Sequence, residues 1–297
     1  MKKTILLILI VIGAIQLNAQ NWRYLRGEIS GSIGTSNFLG ELGGANDIGS
    51  NGITGFKDLE FKLTRPSFAI GYRYYLSPMF AVKGDLTYAL LSGDDALTEE
   101  RFRNNRNLHF RSQAIDVSAR IEFYPLGEYF GHIYSNNGVR GSKVRKVSPY
   151  VFFGVGGFWF NPKAKYNGEW IALQPLATEG VEYKKIAISM PFGAGVKYAL
   201  SKKMSIGIEF CLRYTSTDYI DDVSANYVDK SNANQMERDL ANPSKGGIPL
   251  DANGTYLYDP TIPGAQRGNS AINDSFLLTM FSFNYKLLEG RRNLPKF

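Results

Sequence analysis

The sequence predicts an all-β fold, an eight-stranded antiparallel transmembrane β-barrel of the outer-membrane type, and three observations predict it. Apolar and polar residues alternate with period two in eight segments, which places successive side chains on opposite faces of a sheet. Beyond the N-terminus no apolar run approaches the roughly 18 to 20 residues of a spanning helix. Glycine (31 residues) and aromatics (18 Tyr, 19 Phe and 3 Trp among 297 residues) are abundant, a mixture that suits twisted strands and aromatic girdles rather than helical packing. Mean hydropathy is slightly negative, so a membrane protein of this composition spans as a barrel.

The N-terminus reads as a cleavable signal peptide. Met1, Lys2 and Lys3 form a positive n-region, residues 4–15 a short apolar h-region, and Leu17-Asn18-Ala19 before Gln20 a cleavage site. Residues 1–19 are therefore the predicted signal peptide and 20–297 a single barrel domain. No Cys follows the apolar stretch, which argues against a lipid anchor. Loss of Lys2 and Lys3 takes the net charge from +7 to +5. That excess is modest and dispersed, unlike a nucleic-acid surface. The single Cys211 permits no internal disulfide and no cysteine zinc cluster, and reads as a small side chain within a strand.

The first strand sets Leu25, Gly27, Ile29, Gly31 and Ile33 against Arg26, Glu28, Ser30 and Ser32. A less regular second strand covers 67–75 and ends at the Ser77-Pro78 turn. The third sets Phe80, Val82, Leu86, Tyr88 and Leu90 against Ala81, Lys83, Asp85, Thr87 and Ala89, and a polar loop follows over 92–107. The fourth sets Ile115, Val117, Ala119, Ile121 and Phe123 against Ala114, Asp116, Ser118, Arg120 and Glu122, and Pro125 ends it. The fifth spans 150–160, where Gly154, Gly156 and Gly157 permit strong curvature. The sixth sets Ile186, Ile188, Met190, Phe192, Val196 and Tyr198 against Ala187, Ser189, Gly193, Gly195 and Lys197. The seventh sets Met204, Ile206, Ile208, Phe210, Leu212 and Tyr214 against Ser205, Gly207, Glu209, Cys211 and Arg213. A long polar loop over 217–273 leads to the eighth, with Leu277, Thr279, Phe281, Phe283 and Tyr285 opposite Asn284 and Lys286.

Volume decides which face is outside. An eight-stranded barrel holds only a few layers of side chains, so the bulky apolar face must point to lipid. The face rich in Gly, Ala, Ser and charges then fills the lumen. Its charges carry both signs, and buried charges persist when paired. The expected luminal network is Arg26 with Glu28, Lys83 with Asp85, Arg120 with Asp116 and Glu122, and Glu209 with Arg213, leaving no wide channel. Connections two-three and six-seven are tight and those after strands one, three, five and seven long, the asymmetry of a barrel with short periplasmic turns. The exception is the basic segment 126–148, whose Arg140, Lys143, Arg145 and Lys146 form a candidate docking surface for a periplasmic partner.

No motif carries catalysis. His109 and Ser112, three apart in a strand, point to opposite faces, which argues against a lipid-A deacylase. His109 and His132 are the only histidines and too far apart in sequence for a typical metal pair. Gly154-Val155-Gly156-Gly157 has no helix or Lys after it, so it is no phosphate loop. Asp218, Asp221 and Asp222 could bind Ca²⁺, but EF-hand spacing and its Gly are missing. They read first as an ordered acidic loop base. No cofactor is expected.

Four stretches resemble a Bacteroidetes outer-membrane barrel family that includes PorG, a component of the type IX secretion apparatus. They are Asn37-Phe38-Leu39-Gly40-Glu41-Leu42-Gly43-Gly44, Arg106-Asn107-Leu108-His109-Phe110-Arg111-Ser112, Tyr150-Val151-Phe152-Phe153-Gly154-Val155-Gly156-Gly157 and Thr217-Asp218-Tyr219-Ile220-Asp221-Asp222-Val223-Ser224. The resemblance implies a non-enzymatic outer-membrane anchor contacting periplasmic secretion-ring proteins, with no catalytic residues to carry over. The rival reading is an OmpA- or OmpX-like barrel with an adhesive or envelope-stabilising role.

Overall fold

A computed structural model describes residues 25–42, 61–98, 100–128, 146–249 and 257–287. The expected signal peptide lies outside them, as do Arg140, Lys143 and Arg145. Eight long strands form the wall: β1 (Gly27–Leu39), β2 (Arg65–Tyr75), β3 (Phe80–Asp94), β4 (His109–Phe123), β5 (Val147–Tyr166), β7 (Ile186–Ala199), β8 (Met204–Thr215) and β11 (Ser275–Lys286). Short β6 (Glu169–Ala172) pairs with the far end of β5, while β9 (Ile248–Pro249) and β10 (Leu257–Tyr258) pair with each other in a loop. Neighbours run β4-β3-β2-β1-β11-β8-β7-β5, and pairing of β4 with β5 closes the cylinder. Every pair is antiparallel.

The two tight turns share one device. Leu76 and Ser77 N–H groups donate to Phe80 O, while Ser77 Oγ accepts from the Met79 and Phe80 N–H groups. Ser201 repeats the arrangement with Met204 O and the Lys203 and Met204 N–H groups. A hydroxyl that mimics a backbone acceptor makes serine a good turn residue.

The opposite, loop end departs from expectation. β3 continues to Asp94 where a polar loop is expected, because packed loops cover both faces of the wall there: Leu91 and Ser92 are buried. Period-two contrast between wet and greasy faces vanishes above the lipid band. The rest of that loop holds helix α1 (Arg101–Arg106), capped by Glu100, whose carboxylate accepts from Phe102 N (2.9 Å) and Arg103 N (2.6 Å). The long loop before β11 is likewise built, with helix α2 (Gln235–Ala241) capped by Asn234 and the β9–β10 hairpin.

Outward residues are those the alternation assigns. Ile33, Ile70, Val117, Phe153 and Phe281 are each at least 60 % exposed, an apolar belt far too large to face water. Phe80 and Phe283 also point outward. A closed sheet leaves no unpaired edge in hydrocarbon, the condition for a β-protein to cross a membrane. Closed, ion-filled and greasy outside, the molecule is an outer-membrane barrel. Among the described residues no helix is long and apolar enough to span.

The lumen is not merely small and charged. Phe110, Phe158, Phe160, Phe276, Leu91 and Leu278 fill its loop half, and Tyr75, Tyr124 and Tyr150 its turn end. These aromatics fit because Gly and Ser lie opposite. Gly195 and Gly193 are such positions: an added Cβ would stand 2.5 Å from Tyr150 Cζ and 2.9 Å from Phe152 Cζ respectively.

Candidate functional site

The inward charges of the strands, with Glu128 just past β4, form two linked layers. Nearest the turns, Arg73 Nη1 pairs with Glu28, and Arg73 Nε lies 2.5 Å from Glu122 Oε2. Lys197 Nζ sits 2.8 Å from both Glu28 oxygens and 3.2 Å from Glu128 Oε1, which also accepts from Lys286 Nζ at 2.8 Å. Tyr75 Oη donates to Glu28 (3.0 Å) and Tyr124 Oη to Glu122 (2.6 Å). Above them Arg120 clasps Glu209 through two bonds of 2.7 and 2.6 Å, approaches Asp85 and Glu122 at 3.2 Å, and lies over the Phe152 ring. Lys83 pairs with Asp85 at 2.7 Å. Arg213 Nη1 lies 2.5 Å from Asp116 Oδ1, while Arg213 Nη2 donates to Thr87 Oγ1 at 3.0 Å.

Six cations (Arg73, Lys83, Arg120, Lys197, Arg213, Lys286) thus meet six carboxylates (Glu28, Asp85, Asp116, Glu122, Glu128, Glu209), all buried. Desolvating a charge costs several kcal/mol, so the balance and the bidentate geometry are what make this lumen tenable. The cavity beside Lys83, Asp85, Arg120 and Glu209 measures about 20 Å³, room for about one water.

Two expected pairings are present, Lys83 with Asp85 and Arg120 with Glu122; the other partners differ. Arg26, just before β1, donates to Tyr74 Oη (3.2 Å), and Arg73 takes the place beside Glu28. Glu209 belongs to Arg120 rather than Arg213, and Asp116 to Arg213 rather than Arg120. Long side chains also reach across the lumen to strands distant in sequence: Arg120 on β4 meets Glu209 on β8, and Arg213 on β8 meets Asp116 on β4. Parity gives Lys197 and Lys286 away; Arg73 hides in the aromatic Tyr72-Arg73-Tyr74-Tyr75 run, and Glu128 lies beyond any strand pattern.

At the loop end the acidic run divides. Asp222 has φ +67°, a left-handed turn of the chain that separates its side chain from Asp221. It accepts from Thr178 Oγ1 (2.5 Å) and Tyr183 Oη (2.6 Å), with Arg267 at 4.0 Å. Asp218 and Asp221 instead join Glu41 from beyond β1 and Asp274 from the foot of β11. Burial and mutual repulsion raise all four: Glu41 through Asp218, and Asp218 through Asp221, are each pushed up to about 8, and Asp221 and Asp274 rise well above the ordinary carboxylate range. Two buried arginines flank the group. Arg106 is held by Asp95 (2.7 and 2.9 Å) and by the Glu41 and Arg267 carbonyls; Arg267 is held by Glu179 (2.9 Å) and the Asp222 carbonyl. Stacked Tyr183 and Tyr219 (centroids 4.5 Å apart) connect this cap to Phe160 and the luminal aromatics.

The remaining sequence candidates stay apart. His109 Nε2 accepts from Lys165 N (3.0 Å), while Ser112 is buried on the other face, its Oγ accepting from Asn161 N. His132 lies outside the described residues. Lys146 is exposed beside β5, its carbonyl accepting from Ala199 N.

A family profile described as a domain of unknown function, DUF6089, matches residues 2–238. Solved structures similar to this chain include Neisserial surface protein A (9 % identity, 88 % of this chain and 97 % of that one, TM-score 0.38). Another is Outer Membrane Protein W of E. coli (14 %, 89 % and 100 %, TM-score 0.39). A third is the attachment invasion locus protein Ail of Yersinia pestis (13 %, 89 % and 100 %, TM-score 0.37). No curated protein matches.

Proposed function

We propose, from the premise that this chain belongs to the DUF6089 family, that it is a non-conducting, non-enzymatic outer-membrane barrel that serves as an anchor for other proteins. The observation that carries the reading is the filled lumen: balanced ion pairs and aromatic layers leave room for about one water beside Arg120. A cylinder so filled is a rigid mount rather than a conduit. Purified barrel in planar bilayers should give no open steps, and large steps would contradict the reading.

The resemblance to the family that includes PorG adds the partner: periplasmic ring proteins of type IX secretion, engaged through the basic 126–148 connection at the turn end. In-cell crosslinking tests it. Deleting residues 131–146 should abolish capture of ring proteins while the barrel still assembles, and unchanged capture would remove the secretion role. The rival adhesive role draws on the opposite end, where α1, α2 and the β9–β10 hairpin build a folded cap. Capture of cell-surface or host components through the cap, with none from the periplasm, would favour it.

A further inference from the structure

We propose that the outward face of β4, β5 and β6 at the loop end binds a phosphate-bearing lipid of the outer leaflet, with Arg111 and Lys163 on the phosphate and the acyl chains on the wall below. Three outward pairs follow one another along the β4–β5 ladder there: Ile115 beside Trp159, Gln113 beside Asn161, and Arg111 beside Lys163. An apolar pair, an amide pair and a cationic pair thus stand in order. Four residues of a strand tilted by roughly 40° rise about 10 Å, which takes the ladder from hydrocarbon to headgroup level.

Like charges directly opposite one another destabilise a sheet, and the strands beside this pair do nothing to relieve it. Ser92 of β3 flanks Arg111, and Ala172 of β6 flanks Lys163. Among the described residues neither cation forms an ion pair. Arg111 lies instead over the Trp170 ring, its Cζ 5.8 Å from the centroid. In the lumen of the same chain every cation of the two layers meets a carboxylate. A cation pair left without one on the outer wall marks a place for an external anion.

A groove of about 480 Å³ opens beside Arg111. Arg65 and Pro66 line it from β2, Leu90 from β3 and Trp170 from β6. Asp94, its one carboxylate among the described residues, is engaged: Oδ1 accepts from Ala96 N at 2.9 Å. A guanidinium presents a fork of donors that matches phosphate oxygens, and a nearby lysine adds a point charge. Trp170 is half exposed beside that cation, the position an amphipathic ring takes at a membrane interface.

The wall below the groove identifies the anion as a lipid. Phe68 on β2, Leu86 on β3, and Ile115 and Val117 on β4 are all exposed, and register places them side by side: Leu86 opposite Val117, and Tyr88 between Phe68 and Ile115. This surface lies in the apolar belt, where acyl chains cover it. A molecule with phosphate at one end and hydrocarbon at the other meets both features at once. The long loops of such a barrel face outside, so the lipid is one of the outer leaflet.

The test refolds the full mature chain in detergent and follows retained lipid by native mass spectrometry, with bisphosphorylated lipid A and its dephosphorylated form as probes. The wild-type chain should retain the phosphorylated form in preference. Each Lys or Arg near anionic headgroups adds roughly fivefold in affinity. Arg111→Gln with Lys163→Gln should therefore weaken that retention at least about tenfold. Removing the same charge at the turn end, with Lys202→Gln and Lys203→Gln, should leave it unchanged. Equal retention of the two lipids by the wild-type chain overturns the proposal, as does an equal loss in the turn-end variant. Displacement of the lipid by an equal concentration of inorganic phosphate would assign the cations to free phosphate and overturn it too. The paired change relieves a like-charge contact and should refold as well as the wild type; if it does not, Lys163→Gln alone carries the prediction, with a loss of about fivefold.

Discussion

Replacing Arg73 with methionine removes the guanidinium that joins Glu28 and Glu122. The lumen would then hold five cations against six carboxylates. Removing one partner of a buried ion pair costs about 3 to 5 kcal/mol, because the other charge stays buried. Here the lower end applies: Glu28 keeps Lys197 at 2.8 Å, and Glu122 keeps Arg120 at 3.2 Å and the Tyr124 hydroxyl at 2.6 Å. Arg73→Met should therefore destabilise the barrel by about 3 kcal/mol. Adding Glu122→Gln restores equal numbers, and the double variant should regain about 2 kcal/mol, a coupling well outside additive behaviour. Urea titration of the lipid-folded barrel, followed by tryptophan fluorescence and by gel mobility of the folded form, measures both. An Arg73→Met cost below about 1 kcal/mol, or a double variant no better than the sum of its singles, would refute the paired-lumen account.

The cap should respond to pH with a definite sign. Glu41 and Asp218 are pushed up to about 8, so their protonated forms favour the folded cap. That stabilisation is complete below the ordinary carboxylate range and is lost as pH rises through about 8. Loop proteolysis should accelerate as pH rises from the ordinary carboxylate range to about 8 while the barrel stays folded; slower cleavage at high pH would contradict this. Gly154→Ala forces a Cβ against the backbone of Ala119 and Arg120 and should cost about 1 to 3 kcal/mol in urea. Gly157→Ala, which meets only Ala187 O at 4.0 Å, should stay within about 0.5 kcal/mol, and equal effects would discredit the close-approach argument. Cys211, 1 % exposed, should react with maleimide only after unfolding, and prompt labelling of the folded barrel would show an open lumen.

Where large apolar residues alternate with small or charged ones, the wall is legible from sequence: β3, β4 and β8 face as expected. β5 defeats the same reading, since Tyr150, Phe152, Phe158 and Phe160 point inward while Val151, Phe153 and Val155 point to lipid. With bulk on both faces, period-two contrast disappears, and the aromatic layers of the lumen go unseen. Pairing inside the lumen also joins strands distant in sequence, as Arg120 with Glu209 and Arg213 with Asp116 do. Arg73 even stands opposite Lys83 in the β2–β3 register, a like-charged juxtaposition made tolerable by carboxylates on other strands. The acidic motif shows the same limit at the loop end. Its three aspartates are contiguous in sequence, yet one left-handed residue sends Asp222 elsewhere, and the partners of the other two come from residues 41 and 274.

The seam between β1 and β11 joins the two ends of the chain, with Glu28 opposite Lys286. Until it shuts, the strands form an open sheet with a row of ions along one side and two ragged margins of unbonded amides. Such a sheet cannot sink into hydrocarbon. Zipping that last joint is therefore the moment at which the polypeptide turns from a water-loving ribbon into a lipid-soluble tube, and no N-terminal fragment can make the passage alone.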